Sequence, residues 1–72
     1  MSEDVDTKWT PERIRALRNK LGLTQAELAE RLGLPTYGGS APRVADLESG
    51  RRRPSGPVVR LLDMLEREAA GA

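Results

Sequence analysis

Three consecutive arginines, Arg51, Arg52 and Arg53, are the residues of this chain best suited to binding chemistry. Guanidinium groups pair with phosphate oxygens through charge and hydrogen bonds, so this tract favours a nucleic-acid backbone. The net charge of +1 conceals the tract, because three of the 11 acidic residues lie within the first six positions. The remainder holds 12 basic and 8 acidic residues, a net charge of +4. The alternative interpretation is a solvated loop that only aids solubility.

The composition argues against catalysis. The chain contains no histidine and no cysteine, and therefore lacks the commonest general base and any thiolate zinc ligand. Its aspartates and glutamates are scattered over predicted helix faces and form no recognisable pair. A length of 72 residues allows one domain. We expect a binding protein that uses no cofactor and no metal, and not an enzyme.

No targeting or membrane segment is predicted. The chain has no apolar run near the ~20 residues of a membrane span. Its first six residues are acidic and polar, unlike the basic start of a signal peptide. Residues 1–8 are predicted to form a flexible acidic leader and residues 9–70 a folded domain. These features predict a cytoplasmic, nucleoid-associated protein with no membrane partner.

Two short helices are predicted before the middle of the chain. Thr10 suits an N-cap and Pro11 the first helical position, and Gly22 ends this helix. Thr24 and Glu27 have the spacing of a capping box, which predicts the start of a second helix. The expected buried residues of the two helices are Ile14, Leu17, Leu21, Ala26, Leu28, Ala29 and Leu32.

Two further helices are predicted after a break. Segment 34–39 contains one proline and two glycines, so it cannot be helix interior. Ser40 is the predicted N-cap of a third helix over about 41–48, and a fourth helix is predicted over about 58–69. Residues 70–72 are expected to fray. Inward positions are expected at Val44, Leu47, Val58, Leu61, Leu62 and Leu65. The pattern predicts an all-α fold.

Two strings in the sequence carry a family resemblance. GLTQAELA at 22–29 and LESGRRRP at 47–54, preceded by IRALR at 14–18, resemble the Cro/repressor (Xre-like) helix-turn-helix family of small phage and plasmid regulators. The resemblance covers about residues 9–65. It implies a small four-helix, lambda-repressor-like domain, in which the third helix enters the DNA major groove.

The resemblance, with the local sequence, implies a set of DNA-contacting residues. Arg43 is the best candidate base reader, since its fork fits guanine O6 and N7. Ala41, with Ala45, faces outward in this interpretation, and its methyl group would contact thymine. The arginine tract would follow the sugar-phosphate backbone or enter the minor groove. The full predicted set is Thr24, Gln25, Tyr37, Ser40, Ala41, Arg43, Asp46, Ser49, Arg51, Arg52 and Arg53.

Alternatives remain for three of these residues. Gln25 either holds the second helix to a phosphate or is only a favourable first-turn residue without a partner. Asp46 either accepts a hydrogen bond from cytosine or simply pairs with Arg43 or with solvent. Tyr37 lies in a turn longer than the family's usual one, where it either bonds a phosphate or packs at the core edge of a floppy linker.

Glu48 receives a structural role from the resemblance. Family members often pair a glutamate at this position with an arginine on the first helix, and Arg18 matches that arginine. A carboxylate near DNA would otherwise oppose binding. Glu48 and Arg18 are therefore expected to belong to the scaffold.

The functional expectation is a sequence-specific regulator of transcription that binds double-stranded DNA and acts as a repressor. Such domains bind as two-fold dimers on half-sites about one helical turn apart. Val59, Met64 and Ala69 leave spare apolar area for a homodimer, and dimerisation only on DNA fits equally well. The alternative is an antitoxin or other module that acts with a toxin or another protein partner.

Overall fold

The computed structural model describes residues 8–71, which form four α-helices. They are α1 (Pro11–Leu21), α2 (Gln25–Arg31), α3 (Pro42–Ser49) and α4 (Gly56–Gly71). The described residues contain no β-strand, and one isolated bridge joins Tyr37 to Ser40. The all-α prediction is confirmed. None of the described helices combines the length and apolar character needed to cross a bilayer.

The predicted caps of the first two helices are present. The Thr10 hydroxyl accepts a hydrogen bond from the Arg13 backbone N–H at 3.2 Å. The capping box of α2 is complete: the Glu27 backbone N–H donates to the Thr24 hydroxyl, and the Thr24 backbone N–H donates to the Glu27 carboxylate. These bonds satisfy N–H groups that a helix start leaves without intrahelical acceptors. Both helix starts were therefore encoded locally.

The core is aliphatic except for Trp9, and it lies where α1, α3 and α4 meet and where α2 covers α3. Ile14, Leu28, Val44 and Leu62 are its largest fully buried side chains. Three residues expected in the core, Leu21, Ala26 and Leu61, are only half-buried. The buried set is Trp9, Ile14, Leu17, Leu28, Ala29, Leu32, Ala41, Val44, Leu47, Val58, Leu62 and Leu65.

The boundaries of the last two helices differ from the prediction. Ser40 is not the N-cap of α3; Ala41 occupies that position and makes no capping hydrogen bond through its side chain. Pairing of Ser40 with Tyr37 draws its backbone into a turn, which moves the helix start by one residue. Helix α4 begins at Gly56 and continues to Gly71, so it includes residues 70 and 71, which were expected to fray. Residue 72 lies outside the described residues.

Residues just before α1 are attached to α4. The Trp9 indole N–H donates to the Asp63 carboxylate at 2.9 Å, and the Lys8 ammonium lies 3.0 Å from the same oxygen. These two hydrogen bonds hold the pKa of Asp63 below its ordinary value. Lys8, the last residue of the predicted leader, thus contacts α4. The rest of the predicted leader, residues 1–7, lies outside the described residues.

Candidate nucleic-acid interface

Helix α3 presents one side to solvent and the other to the core. Val44 and Leu47 are buried as predicted, and Arg43 and Ala45 are exposed as predicted. Ala41 does not face outward: it is only 4% exposed and packs within the core cluster. The reason is that Ala41 precedes the first helical turn, where the side chain no longer follows the helical pattern. Ala41 is therefore unavailable for the thymine contact expected of it.

The arginine tract follows α3 directly and its backbone is held against the end of that helix. Gly50 adopts a left-handed conformation (φ 84°), which reverses the chain after Ser49. The backbone N–H groups of Arg51 and Arg52 both donate to the Asp46 carbonyl oxygen, at 3.0 and 3.3 Å. All three arginine side chains are exposed. The loop is thus placed beside α3 by backbone bonds that leave its guanidinium groups at the surface.

Asp46 does not pair with Arg43, and its contact with cytosine stays a prediction. Its carboxylate lies 4.0 Å from Arg52 Nε, so its ion partner is Arg52 and not Arg43. Asp46 is about one-third exposed, and its pair with Arg52 is a weak surface contact. The Ser49 hydroxyl donates back to the Asp46 carbonyl at 3.2 Å. Within the described chain Arg43 has no hydrogen bond or ion pair, which leaves its guanidinium group available to a ligand.

A small cavity of about 100 Å³ joins α3 to the arginine tract. Arg43, Arg52 and Arg53 line it together with Ser55, over a floor of apolar side chains. The tertiary fold therefore brings a helix arginine and two loop arginines to one place. A surface with several guanidinium groups is suited to a polyanion.

Glu48 lies behind this surface and is almost fully buried, with 5% exposure. Arg18 binds it with two hydrogen bonds, Nε to Oε2 at 2.6 Å and Nη2 to Oε1 at 3.1 Å. Burial opposes the charged carboxylate, but the bonds from Arg18 and Gln25 and the charges of Arg18 and Arg15 outweigh it. The net result is a pKa below the ordinary value for glutamate. The predicted scaffold pair is confirmed.

Gln25 has an internal partner that the sequence did not indicate. Its amide nitrogen donates to Glu48 Oε1 at 3.1 Å, so the interpretation of Gln25 as a residue without a partner is wrong. Arg15 adds a second unforeseen contact, donating from Nη2 to the Glu48 carbonyl oxygen at 3.1 Å. The spacing of Arg15 and Arg18 was the available signal, because positions i and i+3 of a helix are neighbours on its surface.

Segment 37–40 is a tight reverse turn and not a floppy linker. Tyr37 and Ser40 exchange two backbone hydrogen bonds, of 2.9 and 3.0 Å. Gly38 and Gly39 both have positive φ angles, 58° and 91°, which side chains with a Cβ disfavour. Tyr37 is 64% exposed, so it does not pack at the core edge. The turn presents Tyr37 to solvent directly before α3.

Comparison with known families agrees with this arrangement. The family described as "Helix-turn-helix domain" matches residues 12–71, nearly all of α1 and the whole of α2, α3 and α4. The chain belongs to the helix-turn-helix domain family. Its partner class is accordingly DNA. No curated protein matches the sequence.

In this helix-turn-helix domain, α2 and α3 are consecutive and in contact, as the two helices of the motif are. Thr24 and Gln25 lie at the start of α2, and Arg43 and Asp46 lie on α3. The described residues include no cluster of acidic side chains able to hold a metal ion.

Proposed function

We propose that this helix-turn-helix protein is a sequence-specific regulator of transcription of the Cro/repressor (Xre-like) type, which binds double-stranded DNA and represses a promoter. The observation that carries the proposal is the position of Arg43. It is exposed on α3, it has no internal partner among the described residues, and it shares a cavity with Arg52 and Arg53. One base-reading side chain thus lies beside a loop suited to phosphates.

In the proposed complex α3 lies in the major groove. Arg43 donates two hydrogen bonds to a guanine, and the Ala45 methyl group contacts a neighbouring thymine. Asp46 accepts a hydrogen bond from cytosine after it releases Arg52. Direct readout by so few side chains is limited, so DNA shape contributes to the choice of site.

Contacts to the backbone hold α3 in register. Arg51, Arg52 and Arg53 follow the phosphates after the helix, with the Ser49 hydroxyl beside them. Thr24 and Gln25 approach a phosphate at the start of α2, where the helix dipole favours an anion. Gln25 does so while its amide nitrogen stays bonded to Glu48.

The turn before α3 supplies a further contact. The Tyr37 hydroxyl bonds a phosphate next to the major groove, and the Ser40 side chain lies on the same exposed turn. The strongest support is the exposure of Tyr37. A tyrosine whose ring lies at the surface can present its hydroxyl group to a ligand.

Two copies occupy one operator, on half-sites about one helical turn apart, ~34 Å. We propose that they pair only on DNA. Val59 and Ala69 are partly buried against the core, and Met64 alone is a large exposed hydrophobic residue of α4, at 54%. The three residues therefore form no continuous exposed apolar surface on α4, which favours pairing on DNA over pairing in free solution. A regulator of this kind acts in the cytoplasm, at the nucleoid.

The test is a selection of bound duplexes from a random library at about 150 mM salt. We expect an enriched palindrome whose half-sites are one helical turn apart. A reporter gene placed behind that palindrome should then be repressed when the protein is expressed. Binding at low salt without any enriched sequence would contradict specific recognition and would favour the module that acts with another protein. An enriched site that activates the reporter would contradict repression alone.

A further inference from the structure

A second surface lies between α1 and α4. It is an open groove of about 480 Å³, which we call the α1–α4 groove. Its apolar lining consists of Trp9, Ala16, Leu17, Ala69 and Ala70, which we call the floor. The charged residues Arg13, Lys20, Glu66 and Arg67 complete the lining, and we call them the rim. The side chains of its three alanines are small, so another helix can approach this surface closely.

The α1–α4 groove lies on the side of α1 away from α3. Arg15 and Arg18 project from one side of α1 to Glu48 of α3. Arg13 projects from the other side, where Nη2 donates to Glu66 of α4 at 2.9 Å. A ligand in the groove therefore leaves α3 and the arginine tract accessible.

The charges on the rim are not balanced. Arg13 and Lys8 already occupy the Glu66 carboxylate, at 2.9 and 3.4 Å. Within the described chain, neither Lys20 nor Arg67 has a carboxylate within 4.0 Å, although Arg67 acts on Asp63 at longer range. An apolar floor beside two cations that lack a carboxylate within 4.0 Å is complementary to a ligand that is apolar along one stripe and acidic at its edges.

We propose that the α1–α4 groove is a docking site for an amphipathic, acidic helix of another protein. Its apolar residues, at positions i, i+3 or i+4 and i+7, lie on Ala16, Leu17 and Ala69. Its carboxylates pair with Lys20 and Arg67. This is the helix-in-groove mode of recognition. Because the site faces away from α3, the protein can hold this partner while it is bound to DNA.

The test begins with a displayed library of helical peptides whose surface positions are randomised, selected against the full chain. We expect enriched peptides to combine an apolar stripe with aspartate or glutamate at its edges. Binding should change the fluorescence of Trp9, which lines the groove and is the only tryptophan of the chain. Absence of enrichment, or enrichment of peptides without acidic residues, would overturn the proposal.

Substitutions at the groove then locate the bound peptide. Ala16→Arg fills the floor from an exposed helix position, and Lys20→Glu with Arg67→Glu reverses the rim charge. Each should weaken the selected peptide by about tenfold or more. Arg60→Glu, an exposed charge reversal on α4 outside the groove lining, is the matched control and should leave affinity within about twofold. Equal losses in the control and the groove variants would remove the assignment.

Two further measurements separate the alternatives. Duplex DNA added in excess should not displace the peptide, and displacement would mean that the peptide occupies the DNA-binding face instead. Sedimentation of the protein alone should give a monomer at the concentrations used. A dimer that Ala16→Arg dissociates would show that a second copy of this chain fills the groove, which contradicts a separate partner. Neither result depends on a specific DNA site, so failure here and failure of the proposed regulator are distinguishable.

Discussion

Two groups of arginines in this small domain have the same chemistry and opposite surroundings. Arg18 of α1 is largely covered and bonded twice to the buried Glu48, and Arg15 lies beside it. Arg51, Arg52 and Arg53 are exposed, and Arg52 Nε lies 4.0 Å from the Asp46 carboxylate. The first group stabilises the packing of α1 against α3, whereas the second is accessible to DNA.

The difference shows that the count of arginines does not identify a binding surface. What separates the groups is the position of one carboxylate. Glu48 and the arginine tract belong to the same stretch of chain, three residues apart, but Glu48 points into the core and the tract follows the reversal at Gly50. A buried charge must be paired, so Glu48 binds Arg15 and Arg18 of α1.

The largest expected effect comes from removal of that carboxylate. Glu48→Ala leaves Arg18 without its partner in a part-buried site and should lower the free energy of unfolding by about 3 kcal/mol. Urea denaturation measures the loss. Glu30→Ala removes an exposed carboxylate of α2 and should change stability by less than about 0.5 kcal/mol.

A double variant sharpens the first prediction. Arg18→Met with Glu48→Met replaces the pair by apolar side chains, and it should recover most of the stability that Glu48→Ala loses. If the double variant is as unstable as the single one, the loss reflects packing and not an unpaired charge.

Acid should weaken the ion pairs that Arg15 and Arg18 make with Glu48. The pKa of Glu48 is below its ordinary value of 4.5, so the unfolded chain binds a proton at this site more readily than the folded one. The stabilisation is present above the unfolded-state pKa and is lost as the pH falls through the folded-state pKa. The free energy of unfolding should therefore decline below about pH 4.5, more steeply than in Glu48→Gln.

That comparison needs urea denaturation of both proteins over a series from about pH 7 to about pH 3. Asp63 also has a lowered pKa, but it titrates in both proteins, so the difference between them isolates Glu48. Parallel pH profiles would mean that the Glu48 cluster contributes no proton linkage.

Arg43 should act on sequence preference. Arg43→Ala is expected to reduce discrimination at one base pair by about 1–3 kcal/mol and to leave folding intact, because the side chain is exposed. The measurement compares affinities for the selected duplex and its single-base variants. Arg60→Ala, an exposed arginine of α4, is the control. Equal losses on the selected and on random duplexes would exclude Arg43 as a base reader.

Arg52 should have the smallest effect, and a uniform one. Arg52→Ala is expected to weaken all duplexes alike and to lower the slope of log affinity against log salt by about 1. Titrations of one selected and one random duplex at several salt concentrations measure it. A loss confined to the selected duplex would assign base reading to the loop.

The sequence by itself determined the elements of this protein. Thr10, Thr24 and Gly22 predicted helix ends correctly, because a cap is a local hydrogen bond or a local backbone conformation. The all-α class followed from the same signals. The exposure of Arg43 and of the arginine tract was also predicted, since helical periodicity and a polar loop decide it.

Only the tertiary structure decided which groups meet. The bond from Gln25 to Glu48 and the pairing of Asp46 with Arg52, not Arg43, join residues whose separation depends on how helices pack. Ala41 is a core residue, and Ser40 is not the N-cap of α3, because the turn at 37–40 displaces the start of that helix. The α1–α4 groove had no sequence signature either. Periodicity indicates which face of a helix is apolar, but packing decides which part of that face remains uncovered.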